Sequence, residues 1–240
     1  MILLSIMNSA TLTKPTILQI PPLENGDRLT RIEFEYRYSA MPHLKKAELI
    51  DGIVYMASPL RITQHGEPHA RIMAWLGYYW SGTPGVQLGD NSTVRLDDDN
   101  EPQPDALLRI RTGGNSTISE DGYVEGAPEL IVEIAASTVS LDLHKKLDVY
   151  QRLGVQEYLV WRVEDEALDW FKLESGNYIS LEPNDKTGLL CSEVFPGLRL
   201  DKTALLAGNL ARVIEVVQQG FATVEHGDFV QRLVGRNKQD

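Results

Sequence analysis

Apolar and polar positions along this chain sort most of it into short elements. Residues 46–59, "KAELIDGIVYMASP", set an Asp51–Gly52 turn between two apolar-rich arms, the pattern of a β-hairpin. Before it, "RLTRIEFEYRYSA" (28–40) predicts a short helix. Within 67–80, Ile72, Trp75, Leu76 and Tyr79 recur at helical spacing, and "TPG" at 83–85 ends that helix. A second hairpin is expected from "VQLGDNSTVRL" (86–96), an acidic turn "DDDNEPQ" and "PDALLRI" (104–110). A Gly- and Ser-rich loop fills 111–127. "EYLVWRVED" and "ALDWFKLESGNYISLE" predict further strands, 203–219 an amphipathic helix, and the remainder a second short helix or docking tail. The order of elements points to one α/β or α+β domain.

One strand breaks its own pattern. Residues 130–136, "LIVEIAA", form an apolar, β-branched run of the kind buried on both faces of a sheet, yet Glu133 stands in the middle. An ionised carboxylate there costs several kcal/mol or more unless something compensates it. A helix is expected next, over about 141–153 and closed by Gly154. At about 100° per residue, Leu143, Leu147, Tyr150 and Leu153 share one arc, with Lys146 inside it and Lys145 on the opposite side. Lys146 is therefore the expected partner of Glu133. Upstream, Asp105 follows Pro104 at the start of a strand, where Asp is disfavoured unless it caps a turn or acts. Two carboxylates and an ammonium suit a hard divalent cation such as Mg²⁺ or Mn²⁺ shared with a phosphate.

Composition narrows the picture. The 240 residues allow one sizeable core, and 42 % hydrophobic with 24 % charged residues is ordinary for a globular domain. A net charge of -11 argues against a general polyanion binder, though not against a local basic groove or a metal that bridges to phosphate. The single cysteine, Cys191, removes any intrachain disulfide or cysteine-cluster zinc site, and a reducing cytoplasm fits it best. "MILLSIM" is too short and lacks the positive flank of a signal peptide, and no stretch approaches the length of a membrane span. His43, His65, His144 and His226 show no spacing that suggests a metal site. Asp97, Asp98 and Asp99 read as a solvated turn. The aromatics Trp75, Tyr78, Tyr79 and Trp80 read as core or dimer surface.

These stretches together resemble the PD-(D/E)XK nuclease superfamily and, more narrowly, the Uma family of restriction-endonuclease-like proteins. The motifs are "AELIDGIVYMASP", "HARI", "QPDALLRI", "GAPELIVEIAAST", "DLHKKLDVY" and "GVQEYLVWRVED", over roughly residues 45–200. The resemblance implies an α/β (α+β) restriction-endonuclease-like core, a mixed β-sheet flanked by helices, and a Mg²⁺- or Mn²⁺-dependent site that cleaves DNA phosphodiesters. It makes Asp105 and Glu133 metal ligands, Lys146 the catalytic lysine, Glu48 an auxiliary acid and His69 a pocket residue. Residues 1–27 would be an N-terminal arm, 28–200 the nuclease-like domain and 201–240 a helical extension. Two departures stand out: the position two after the acid is Ala135 rather than lysine, and "AAST" is one residue shorter than the family's usual run. The spacing to Tyr150 then selects Lys146, with Lys145 as the alternative. A homodimer through the apolar helix at 203–219 is a further expectation. Two other readings stay open: a nuclease fold kept only as a binding or assembly module, and a hydrolase of some other phosphate ester.

Overall fold

The computed structural model describes residues 20–56, 59–136 and 138–236. Helix α1 (Arg31–Ser39) begins where Thr30 accepts a capping bond from the Glu33 N–H. The hairpin β1 (Ala47–Ile50) and β2 (Ile53–Met56) turns on Asp51 and Gly52, both at positive φ, as a tight two-residue turn between right-twisted strands requires. A wide turn, Ile62–Gly66, leads into α2 (Glu67–Ser81), which stops at Gly82.

From there the chain runs β3 (Val86–Asp90), β4 (Val94–Arg95), β5 (Ala106–Ile110), β6 (Thr117–Ile118), β7 (Val124–Glu125) and β8 (Leu130–Ala135). A second wide turn, Leu141–Lys146, opens α3 (Leu147–Arg152). The rest comprises β9 (Glu157–Arg162), β10 (Ala167–Glu174), β11 (Asn177–Ser180), β12 (Leu190–Cys191), β13 (Arg199–Leu200), α4 (Lys202–Leu206), α5 (Leu210–Phe221) and α6 (Val224–Arg236).

The main sheet has six strands in the order β11-β10-β9-β8-β5-β3, with β8 and β9 parallel and the other neighbours antiparallel. It is a mixed sheet flanked by helices, as expected. Residue parity decides which layer each side chain enters. Leu108, Val132, Ile134 and Leu159 face a core closed by Trp75 and Tyr79 of α2, Val213 and Val217 of α5, and Phe229 of α6. Leu107, Ile131, Ala135 and Val160 face the other way, toward Val149 and Tyr150 of α3 and Ile50 of the hairpin. Asp105 and Glu133 carry the parity of this second layer.

Three expectations change. β3 and β5 are antiparallel neighbours, but no tight hairpin joins them. The chain turns away at Asn91, which sits at positive φ, and β4 pairs with β7 in a separate three-stranded sheet before β5 begins. The helix at 203–219 is two helices, broken at Gly208, whose φ of +76° is left-handed. The apolar face of α5, expected to offer a dimer surface, is spent inside the molecule against α2 and β13. Of the four aromatics, Trp75 and Tyr79 are core and Trp80 is exposed. The opening "MILLSIM" lies outside the described residues. Residues 23–29, by contrast, bond along β2 through Gly26 N–H to Val54 O and through the Arg28–Ile53 bridge.

Candidate active site

The site forms where β5 begins. Ala106 pairs with Val132 across the antiparallel ladder, so one step further Asp105 stands opposite Glu133 on the same sheet face. The Ile134 N–H donates to Asp105 Oδ2 at 2.8 Å, which seats the carboxylate on the free end of the ladder. This answers why an aspartate occupies a strand start: its side chain substitutes for the backbone acceptor that β5 has not yet supplied.

Glu133 is buried, and Lys146 compensates it. The ammonium donates to Glu133 Oε1 and to Glu48 Oε1, each at 2.9 Å, and lies 3.6 Å from Asp142 Oδ1. Lys146 is 2 % exposed, whereas Lys145 is exposed, with its ammonium 5.7 Å from the centre of the Tyr55 ring. Tyr150, one turn after Lys146, donates to the same Glu133 oxygen at 3.0 Å. Glu48 Oε1 also accepts the Gln103 N–H at 2.7 Å, which ties the hairpin to the approach to β5. Burial, reinforced by the nearby Asp142, Asp105 and Glu48 carboxylates, pushes Glu133 up to about 8 despite the pull of Lys146. Burial also raises Asp142. Lys146 is driven the other way from what burial alone would do: Glu133, Glu48 and Asp142 lift it well above the usual lysine range, so it stays protonated.

Asp105 sits in a different field. Burial raises it, but the His65 hydrogen bond, the Lys46 charge and the Ile134 N–H outweigh burial and bring it down to about 2. His65 Nε2 donates to Asp105 Oδ1 at 3.1 Å, and Lys46 Nζ is 3.5 Å from the same oxygen. His69 Nε2 lies 3.0 Å from the Asp105 carbonyl and 3.1 Å from Asp90 Oδ1; both are pure acceptors, so that nitrogen carries the proton. The two histidine rings stack 5.6 Å apart. His65 comes from one wide turn and Lys146 from the other. Such widened turns are rare and recur at functional sites.

The structure thus brings Asp105, Glu133, Lys146, Glu48 and His69 into one region, adds Lys46 and His65, and sets Asp142 beside Lys146 at the i,i+4 spacing of a helical ion pair. Lys46 precedes β1 two residues before Glu48, and period-two alternation would have placed both on one face. Asp142 precedes Lys146 by four residues. His65 and His69 are also four apart, a spacing that signals one helix face, and His65 meets the site as a hydrogen-bond donor to Asp105.

Carboxylate oxygens are suitable ligands for a hard cation. Four buried acids, Glu48, Asp105, Glu133 and Asp142, face two ammonium groups, Lys46 and Lys146, an excess of two negative charges once Glu133, raised to about 8, has given up its proton. A divalent ion would close that balance, and the donor set fits one. Among the described residues, however, no three acidic, histidine or cysteine side chains already converge on a point as a cation cage. Each carboxylate is instead engaged by an ammonium group or by hydrogen-bond donors.

The mixed sheet flanked by helices is of the restriction-endonuclease-like class. The chain belongs to the family described as "Uma2: Putative restriction endonuclease", whose model matches residues 33–203. Among solved structures it is similar to the crystal structure of a "putative nuclease belonging to DUF820" from Anabaena variabilis ATCC 29413. The TM-score is 0.51 at 12 % identity, over 76 % of this chain and 97 % of that one, a likeness of fold. No curated protein sequence matches the chain. No helix among the described residues is long and apolar enough to cross a membrane.

Proposed function

We propose that this protein is an endonuclease that hydrolyses DNA phosphodiesters with Mg²⁺ or Mn²⁺ at the cluster around Asp105, Glu133 and Lys146. The observation that carries this reading is the bond from the Ile134 N–H to Asp105 Oδ2, which fixes the Asp105 carboxylate beside the strand that carries Glu133, with Glu133 itself bound to a buried lysine. Membership of a restriction-endonuclease-like family, a class that typically uses a divalent metal, supports it.

Asp105 and Glu133 would hold the ion, which when bound polarises the phosphate and activates a water. Asp105 is already an anion at neutral pH, held by His65 and the Ile134 N–H, and needs no proton removed to serve as a ligand. Lys146 keeps Glu133 and Glu48 aligned, because one ammonium grips both carboxylates. Hydrolysis joins the water oxygen to phosphorus, breaks one P–O ester bond and leaves the proton on the departing oxygen. Supercoiled plasmid incubated with Mg²⁺ or Mn²⁺ should be nicked or linearised, and Asp105→Ala should abolish this; cleavage by the variant at the wild-type rate removes the proposal.

A second reading has one observation in its favour. With Lys146 holding two acids and a net charge of -11, the domain can stand as a folded module without any ion. Titration calorimetry with Mn²⁺ separates the two readings: heat of binding that disappears in Asp105→Ala supports the enzyme, and no heat supports the module.

A further inference from the structure

The two lysines of the cluster are not equivalent, and the difference assigns them different work. Lys146 has three N–H bonds and three carboxylates around it: Glu48 and Glu133 at 2.9 Å and Asp142 at 3.6 Å. Its side chain is 3 % exposed, and two of its N–H bonds are committed to Glu48 and Glu133 with Asp142 facing the third. Lys46 is the opposite case. Among the described residues it makes no side-chain hydrogen bond; its one ion contact, to Asp105 Oδ1, is 3.5 Å long and shared with the closer His65. Its side chain is 22 % exposed.

Access follows the same division. Glu133, Lys146 and Asp142 form a closed floor, whereas Lys46, His65 and His69 are all partly exposed and surround Asp105 from the solvent side. The rim of the site is thus cationic or protonatable over an acidic floor. A DNA strand approaching a protein of net charge -11 is repelled by most of the surface and needs local cations where its phosphate comes close. Lys145, the other candidate, rests near the Tyr55 ring and does not join the cluster.

We infer that Lys46 is the catalytic lysine in the sense of touching substrate: its ammonium donates to a non-bridging oxygen of the scissile phosphate, while Lys146 is a positioning residue for Glu133 and Glu48. This rests on the nuclease reading above and changes which side chain meets the DNA. The bond is made without transfer of the lysine proton, and it stabilises the charge that builds on the phosphoryl oxygens during attack.

The test compares wild type with Lys46→Gln and Lys46→Ala, each first shown to unfold at the wild-type temperature. Binding of a short fluorescent DNA duplex is followed by anisotropy across a salt series in Ca²⁺, and plasmid cleavage is followed in Mg²⁺. Loss of one phosphate contact weakens binding and lowers the slope of log K against log salt by about 0.9, and because the donor tightens on the charge that builds in the transition state, kcat also falls by about 100-fold. Lys46→Arg should recover part of both. An unchanged salt slope in the variants overturns the inference, as does cleavage within about twofold of wild type. If wild type itself does not cut, the proposed function fails on its own terms, and the salt slope alone still decides whether Lys46 meets a phosphate. Should Lys46→Ala misfold, Lys46→Gln, which keeps the first two methylenes of the stem and a polar end, carries the measurement.

Discussion

Replacing Lys146 by methionine removes the ammonium between Glu48, Glu133 and Asp142 while keeping most of the side chain's volume. The structure sets the cost. Two charge-assisted hydrogen bonds of 2.9 Å disappear, each contributing about 1.5–3 kcal/mol, and three buried carboxylates lose their shared counter-charge. Tyr150 Oη and the Gln103 N–H remain as donors, one to Glu133 and one to Glu48. Breaking a buried ion pair from one side typically costs about 3–5 kcal/mol because the stranded charge stays desolvated. We therefore expect Lys146→Met to lose about 3–5 kcal/mol, which for a chain of this size is a fall in Tm of roughly 6–20 °C. Urea unfolding in EDTA at pH 9, above the Glu133 value of about 8 so that this acid is ionised in the wild type and no ion replaces the lysine, is the appropriate assay. Adding Glu133→Gln to the variant removes one stranded acid and should recover about 1–3 kcal/mol. A loss below about 1 kcal/mol, or no recovery in the double variant, refutes the reasoning: the cluster would then be open to water and Lys146 would not be what makes Glu133 tolerable.

Other outcomes follow from single contacts. Tyr150→Phe leaves Glu133 with one donor fewer and should cost about 1–3 kcal/mol in the same unfolding experiment. A side chain at Gly220, where α5 passes the 195–198 turn, would overlap the Gly197 carbonyl, so Gly220→Ala should cost about 1–3 kcal/mol or more and loosen α5 from the sheet. Glu157, raised by burial to about 7, holds its proton more tightly folded than unfolded. Its contribution is therefore full below its ordinary value of 4.5 and is lost as pH rises through about 7. The advantage of wild type over Glu157→Gln should shrink between pH 5 and pH 8 in urea titrations; an advantage that grows with pH contradicts this sign.

Much of the architecture can be read without coordinates. Asp51–Gly52 specifies a turn through its own backbone preferences, the β8 run specifies a doubly buried strand through its lack of polar alternation, and α2 shows its buried stripe at helical spacing. Each is a local property, carried by residues a few positions apart. Lys146 was also placed inward by helical geometry, although the turn that carries it is wider than an α-helical one; the error in angle was too small to send it outward.

What the sequence alone determined, then, is which segments form elements and which polar residues sit where polarity is expensive: Glu133 in a buried run, Asp105 at a strand start, Lys146 on an apolar arc. The tertiary structure decided their partners. That β4 leaves the main sheet, that α5 spends its apolar face internally, and that Lys46 and His65 close on Asp105 all depend on contacts between residues tens of positions apart. Local periodicity carries no information about such distances, because the energy that selects them arises only when the layers pack and the acids lose their water.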